Sequence, residues 1–499
     1  MNDKILIEFH GWRAEYCVYH FFLKVLKKKY RNIKVEAFAT FPNFFTVPTH
    51  IKYLNHLLFF IGIFFKVRSF KKFKLLGVDK IFMPFIKNKH KFLSSIFYRR
   101  KKKIITKYNL LDLKIDNILI GDLIYDSYLK THNVPTLNVK DKLFVDFFLN
   151  YVSLYYYWRE YFNFNNLKAV IVVHPSYLTG LPSRIAAYTR VKSICASSNC
   201  VYSLSKKRIY AYKNFLDYKK IFTSLKNKKQ IRIIAKKDLS LRLNGKIINV
   251  DSHFSGWQNQ KHNSEIKKSL IVKKKIKVLI SPHLFSDTPH ALGKLLFPDV
   301  YEWLIFILNI SRKTDYLWFI KTHPDIEKKF LFDNSLSVIK NLLNRYPNVV
   351  LLEPRTSQNF IVNNLKISAV MTIYGSVAHE YAFFNIPVIN ASLNNPHIYN
   401  KFCFNPRSIK ELKTIILNIP KLKFKVNMNE LLDFYYMHKI YFNKSWLGIN
   451  MNKFISNNYG LENVNKCKEI DIKMLNYIKN HREVINRVEK FFNSNQYSL

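Results

Sequence analysis

The 499-residue chain is 48% hydrophobic and 16% aromatic, more apolar material than one ordinary core holds, so two domains plus an extension are expected. Lys and Arg number 81 against 33 Asp and Glu, a net charge of +48, but the cations lie in short scattered clusters ("KKKY" at 27–30, "RRKKK" at 99–103, "VKKKIK" at 272–277). That is not the continuous stripe or tail of a nucleic-acid binder. It reads as the Lys- and Asn-rich drift of an AT-rich genome, and it leaves an anionic inner-membrane surface open as a partner. The five cysteines include no C-x-x-C pair, which argues against a disulfide framework or zinc site and fits a reducing cytoplasm.

In chain order, "KILIEF" (4–9) predicts a strand and 16–30 an amphipathic helix, with the next strand in "IKVEAFATF" (33–41). The most apolar run, "LLFFIGIFF" at 57–65, is far short of the roughly 20 residues that span a bilayer; with the basic 65–74 stretch after it, it is an alternative interfacial anchor. Strands are expected at 115–121, 168–174 and 193–197, with a helix at 182–191. The Lys-rich 205–270 reads as peripheral structure and linker. A second alternation then begins: strands at 274–285, 316–324, 348–354, 368–375 and 386–391, with helices at 299–313, 327–345, 358–365 and 376–384. Helix signals return at 466–494. Alternating strands and helices predict parallel sheets covered on both faces. The expected fold is therefore α/β: an amino-terminal Rossmann-like domain (1–270), a second one (271–425) facing it across a cleft, and a helical carboxyl-terminal extension (426–499).

Ligands of such sheets lie beyond the carboxyl ends of the strands. Three strand ends of the second half carry polar residues there: His283, Asp287 and His290 in "SPHLFSDTPH", Lys321 and His323 in "WFIKTHP", and Thr372, Gly375 and Ser376 in "MTIYGS". Amides at a helix start favour a phosphate, and a nearby imidazole and lysine would offset charge growing on a leaving nucleotide. Glu380, four residues after Ser376, shares its helix face and is placed to accept from ribose or sugar hydroxyls. The plainer alternative makes Gly375-Ser376 a helix cap. No G-x-G-x-x-G, Walker or G-x-S-x-G motif accompanies these residues.

The stretches "SPHLFSDTPH", "LFPDVYEWL", "WFIKTHPD" and "MTIYGSVAHEYAFFNIPVIN", with the less specific "ILIGDLIYDSYLK" upstream, resemble bacterial surface- and capsular-polysaccharide glycosyltransferases of GT-B architecture. The likeness spans roughly 115–395 and extends, at a distance, to capsular Kdo transferases and CDP-glycerol glycerophosphotransferases. It implies that His323 and Ser376 hold a donor's phosphates and Glu380 its ribose or sugar. Relatives often carry two hydroxyl residues or Gly-Thr where this chain has Gly375-Ser376, which leaves the donor's identity open. On the acceptor side, His10, Gly11, Trp12, Asp122, Asp126 and His174 follow strands of the first half, with Asp122 as the candidate base.

The expected activity is transfer of a sugar from a nucleotide donor to a glycan or lipid-linked glycan of the capsule or lipopolysaccharide type. It needs no metal and no cofactor beyond the activated sugar, and it takes place in the cytoplasm, at or near the inner membrane. A CDP-polyol-dependent polymerase and a non-catalytic scaffold are the alternatives.

Overall fold

The computed structural model describes residues 3–9, 13–30, 32–40, 73–197, 200–246, 274–323, 326, 334–443, 446–447 and 464–499. They form two compact units. The first comprises 1–131, 138–214 and 443–499, and the second 132–137 and 215–442. The α/β class and the two sheet-centred units expected of a GT-B chain are present. The boundary, however, falls at 214/215 and not at 270. The carboxyl-terminal helices are not an extension but complete the first unit's core.

The first unit holds β1 (Lys4–Glu8), α1 (Arg13–Lys29), β2 (Lys34–Phe38), β3 (Lys80–Phe82), α2 (Asn88–Lys101), β4 (Lys114–Ile115), β5 (Ile118–Leu119), α3 (Gly121–His132, whose last residue falls in the second unit), α4 (Lys142–Phe164), β6 (Leu167–Val172), α5 (Gly180–Tyr188), β7 (Lys192–Ala196) and β8 (Val201–Leu204). Its sheet runs β3-β2-β1-β6-β7-β8, parallel except for β8, which pairs antiparallel with β7. Side chains alternate along each strand. Ile5, Ile7, Val35, Ala37, Ala169 and Ile171 therefore turn to one face, where α1 and the helices at 464–480 and 482–493 bury them with Leu26, Met474, Val488 and Phe491. On the outer edge of β8, Ser203 N–H donates to Tyr497 O at 2.8 Å and Leu499 N–H to Val201 O at 3.1 Å. The chain's last residues thus cover an otherwise open edge.

The strand expected at 115–121 is instead a small hairpin. Asp116 and Asn117 have φ of +49° and +64°, the left-handed pair that a two-residue turn demands, so β4 and β5 pair antiparallel. Gly121 then opens α3, where a Cβ would lie 1.7 Å from Leu110 O. Only glycine fits this approach, and it fixes where Asp122 starts its helix. The helices α2 and α4 were not anticipated. The apolar segment at 57–65 lies outside the described residues, among which no helix is long and apolar enough to cross a membrane.

The second unit contains α6 (Tyr218–Ser224), α7 (Lys228–Leu243), β9 (Lys277–Ser281), α8 (Val300–Ser311), β10 (Leu317–Lys321), α9 (Ser335–Leu343), β11 (Val349–Leu352), α10 (Gln358–Phe360, continued by a π-turn to Leu365), β12 (Ala369–Thr372), α11 (Val377–Ala382), β13 (Val388–Asn390), α12 (Ile409–Leu417) and α13 (Met428–Tyr435). The terminal helices named above are α14 (Val464–Asn480) and α15 (Arg482–Asn493). The five strands are all parallel in the order β11-β10-β9-β12-β13. Val278, Ile280, Trp318, Ile320 and Met371 pack under α8 and α12. Leu279, Phe319 and Val370 pack under α7, α11 and α13. Within the supposed linker, α7 buries Ile231, Ala235, Leu239 and Leu243, an i, i+4 stripe that makes it a structural helix of this unit.

Candidate functional site

The register sets the carboxyl edge of the second sheet. Ser281 pairs with Thr372, Thr372 with Asn390, and Lys321 with Leu352; with Ile320 opposite Ile280, the strand ends form one row. The chain order reverses direction on either side of β9, the switch point where α/β sheets bind ligands. His283, His323 and Gly375-Ser376 all leave the sheet from this edge, as their positions in the sequence predict.

The His283 ring stacks on Tyr374, centroids 4.2 Å apart, and its Nε2 is buried without a hydrogen-bond partner. Burial, with some repulsion from His323, pushes its pKa down to about 3, so at neutral pH it is an uncharged donor or acceptor. A Cβ added to Gly375 would lie 3.6 Å from this Nε2 and 3.0 Å from Thr372 Oγ1; glycine keeps that space open. Ser376 does not act as a side-chain cap. Its hydroxyl bonds no helix amide, while its carbonyl accepts from the His379 and Glu380 amides at 3.2 Å each. Next to the edge, Thr322 Oγ1 is also buried without a partner. Lys321 is 3% exposed, and burial pushes its ammonium down to about 8 against the pull of Glu380. His323 is exposed.

Other expected residues are placed differently. Glu380 does not face a ligand: it is 3% exposed, and its Oε1 accepts from Arg242 Nε of α7 at 2.7 Å. Thr372 donates to Ser281 O at 3.1 Å, tying β12 to β9. The His290 ring is spent on Pro298 O at 2.9 Å, and Asp287 is exposed. In the first unit Asp122 is buried, and both its oxygens accept from Arg184, at 3.1 and 2.9 Å. A carboxylate committed to a buried guanidinium is a structural ion pair. Asp126 is buried one turn further along α3. His174 follows β6, with its Nδ1 3.0 Å from the Tyr212 hydroxyl. His10, Gly11 and Trp12 lie outside the described residues.

Three features escaped sequence reasoning. Arg242 lies 138 residues from its partner. Tyr374 supports His283. At α11, the rings of His379 and His397 are buried and the half-buried His438 packs against them, with His379 Nδ1 3.1 Å from His397 Nε2 and His438 Nδ1 2.9 Å from Tyr218 OH. They form no metal-binding group among the described residues.

No family model and no curated protein matches the sequence. Among solved structures the chain is similar to a UDP-GlcNAc 2-epimerase from Neisseria meningitidis bound to UDP-GlcNAc, at 12% identity and a TM-score of 0.22 over 95% of this chain and 100% of that one. It is also similar to the Thermosulfurimonas dismutans KpsC β-Kdo 2,4 transferase, at 11% identity and 0.34 over 54% and 80%. The E. coli ADP-heptose LPS heptosyltransferase II matches at 12% identity and 0.22 over 87% and 99%.

Proposed function

We propose that the chain is a nucleotide-sugar-dependent glycosyltransferase of surface-polysaccharide synthesis, with its donor site at the carboxyl edge of the second unit's sheet. One observation carries the reading: at a single strand-end row, His283 Nε2 and Thr322 Oγ1 are buried without partners beside the buried Lys321 ammonium. Burying such groups unsatisfied costs roughly 1–3 kcal/mol apiece, and a nucleotide's phosphate oxygens are the chemistry that would satisfy them. The Ser376 hydroxyl and the amides before α11 add donors.

In the proposed reaction an acceptor hydroxyl attacks the anomeric carbon. The bond from that carbon to the phosphate oxygen breaks, and its electron pair leaves on the nucleotide. The hydroxyl proton passes to an acceptor-side carboxylate or imidazole. Lys321, His283 and His323 oppose the charge that grows on the phosphate, and losing one such donor costs about 3 kcal/mol, or a hundredfold in rate. The polysaccharide acceptor rests on the sequence resemblance, and the basic end of α2 (Arg99, Arg100, Lys101) suits an anionic leaflet.

Thermal shift with CMP, CDP, UDP and GDP tests the site. One of them should stabilise the chain. His283→Ala, His323→Ala and Ser376→Ala should each weaken it at least tenfold and lower turnover about a hundredfold, with circular dichroism unchanged. Release of CMP from CDP-glycerol, with phosphate left on the product, would move the enzyme to the polyol-phosphate class. If no nucleotide stabilises the chain, or the variants bind like the parent, the donor site is wrong.

A further inference from the structure

At the amino-terminal edge of the first unit's sheet lies a cavity of about 540 Å³. The segments leading into β6 and β7 line it, together with the carboxyl ends of α1, α4 and α15. Four of its lining residues are cations, Lys29, Lys168, Arg190 and Lys192, and none is acidic.

The simplest account of such a patch is that cations complement helix carboxyl ends. Each end carries about half a negative charge, so three ends offset fewer than two of the four cations. Asp3, 3.4 Å from Lys168, offsets one more. A positive excess remains. Lys29 is engaged by Asn493 Oδ1, and Lys192 by the Ser494 carbonyl, neither of them charged. Burial and the Lys29 charge both push the Lys192 ammonium's pKa down, the mark of two cations held close without an anion. Arg190 is exposed and has no ion pair among the described residues. The remaining lining suits a sugar. Tyr30 and Phe162 offer aromatic surface to a pyranose face, while the amide nitrogens of Asn165 and Asn166 are held by Tyr161 O and Asp3 Oδ1 at 2.7 Å each.

We infer that this cavity binds a saccharide bearing an anionic group, carboxylate or phosphate, at a site separate from the donor edge. For an enzyme extending an acidic glycan, such a site would bind that glycan. The binding itself does not depend on the proposed transferase activity.

Calorimetry on the full chain at low salt tests it with trigalacturonate (carboxylate), glucose 6-phosphate (phosphate), maltotriose (neutral) and inorganic phosphate. At least one acidic sugar should bind saturably and at least tenfold more tightly than both maltotriose and inorganic phosphate. The preferred sugar tells which anion is meant. Lys168→Glu/Arg190→Glu should lower that affinity at least tenfold with the melting temperature retained, and Arg190→Ala alone should lower it measurably. His283→Ala should leave it unchanged, which separates this site from the donor edge. No saturable acidic-sugar binding, equal binding of maltotriose, an unaffected double variant or loss in His283→Ala would each overturn the inference. So would a short RNA that displaces the sugar and binds more tightly through the same two residues.

Discussion

Lys321 closes β10 with its ammonium buried, and its charge depends on what lies beside it. Its pKa is depressed from 10.5 to about 8, so the unfolded chain holds this proton over a range where the fold does not. Stability tied to Lys321 is therefore present above 10.5 and is lost as pH falls towards 8. A bound phosphate reverses the preference by favouring the ammonium. Nucleoside diphosphate affinity should therefore fall as pH rises above about 8, approaching tenfold per pH unit for one linked proton. Lys321→Met should bind more weakly and lose the slope. Calorimetry from pH 7 to 9.5 reads both, and a pH-independent parent affinity would remove Lys321 from the site. Lys321 and His283 were legible because each sits a residue or two from the end of an apolar run. Arg242 was not: in a chain with 81 Lys and Arg, one more arginine in a Lys-rich stretch carries no signal, and its partner is set only by tertiary packing.

Helices α7 and α11 are joined by the Arg242–Glu380 pair, which has little solvent access: the two side chains are 16% and 4% exposed. Breaking a buried pair from one side costs about 3–5 kcal/mol because the other charge is left alone, whereas replacing both can be neutral. Arg242→Met should lower the second unit's free energy of unfolding in urea by that order, and Arg242→Met/Glu380→Leu should recover most of it. Equal loss in single and double variants would show that the pair does not couple the helices. The strands of the second sheet were readable because parallel strands buried on both faces give unbroken apolar runs. The hairpin at 114–119 was not, because its two left-handed residues, Asp116 and Asn117, interrupt what otherwise reads as one strand. Nor was α7, whose buried stripe is blurred by the exposed apolar residues Ile233, Ile234 and Leu241 between its contacts.

Acid bears on the molecule as a whole through its buried histidines. Burial and neighbouring positive charge hold His379, His397 and His438 below the ordinary value of 6.5. Each is neutral in the fold and protonated in the unfolded chain below that pH, so the stability it supports is present above 6.5 and lost as pH falls. Each ring contributes about 1.4 kcal/mol per pH unit once the unfolded form is charged. The second unit should therefore lose stability steeply between pH 6.5 and 5, and His397→Gln should lessen the slope by one proton. Urea midpoints across that range measure it, and a flat profile would place the rings in contact with water. Two domains were foreseen from length alone, but their division was not. Composition does not change at 214 or 443, and nothing local in α14 or α15 tells that their apolar faces belong with α1.

The pairing of Tyr497 and Leu499 with β8 has a consequence for synthesis. A ribosome adding about 5–20 residues per second takes about 15–60 s to travel from β8 to the segment that covers it, and α14 and α15 emerge only shortly before it. Over that interval the second unit's segment, 215–442, can fold as it appears. The first unit's sheet meanwhile waits with one edge open and one face covered only by α1. The strands before residue 215 are thus made before the second unit but completed after it, and they are the part that a holding chaperone would have to shelter.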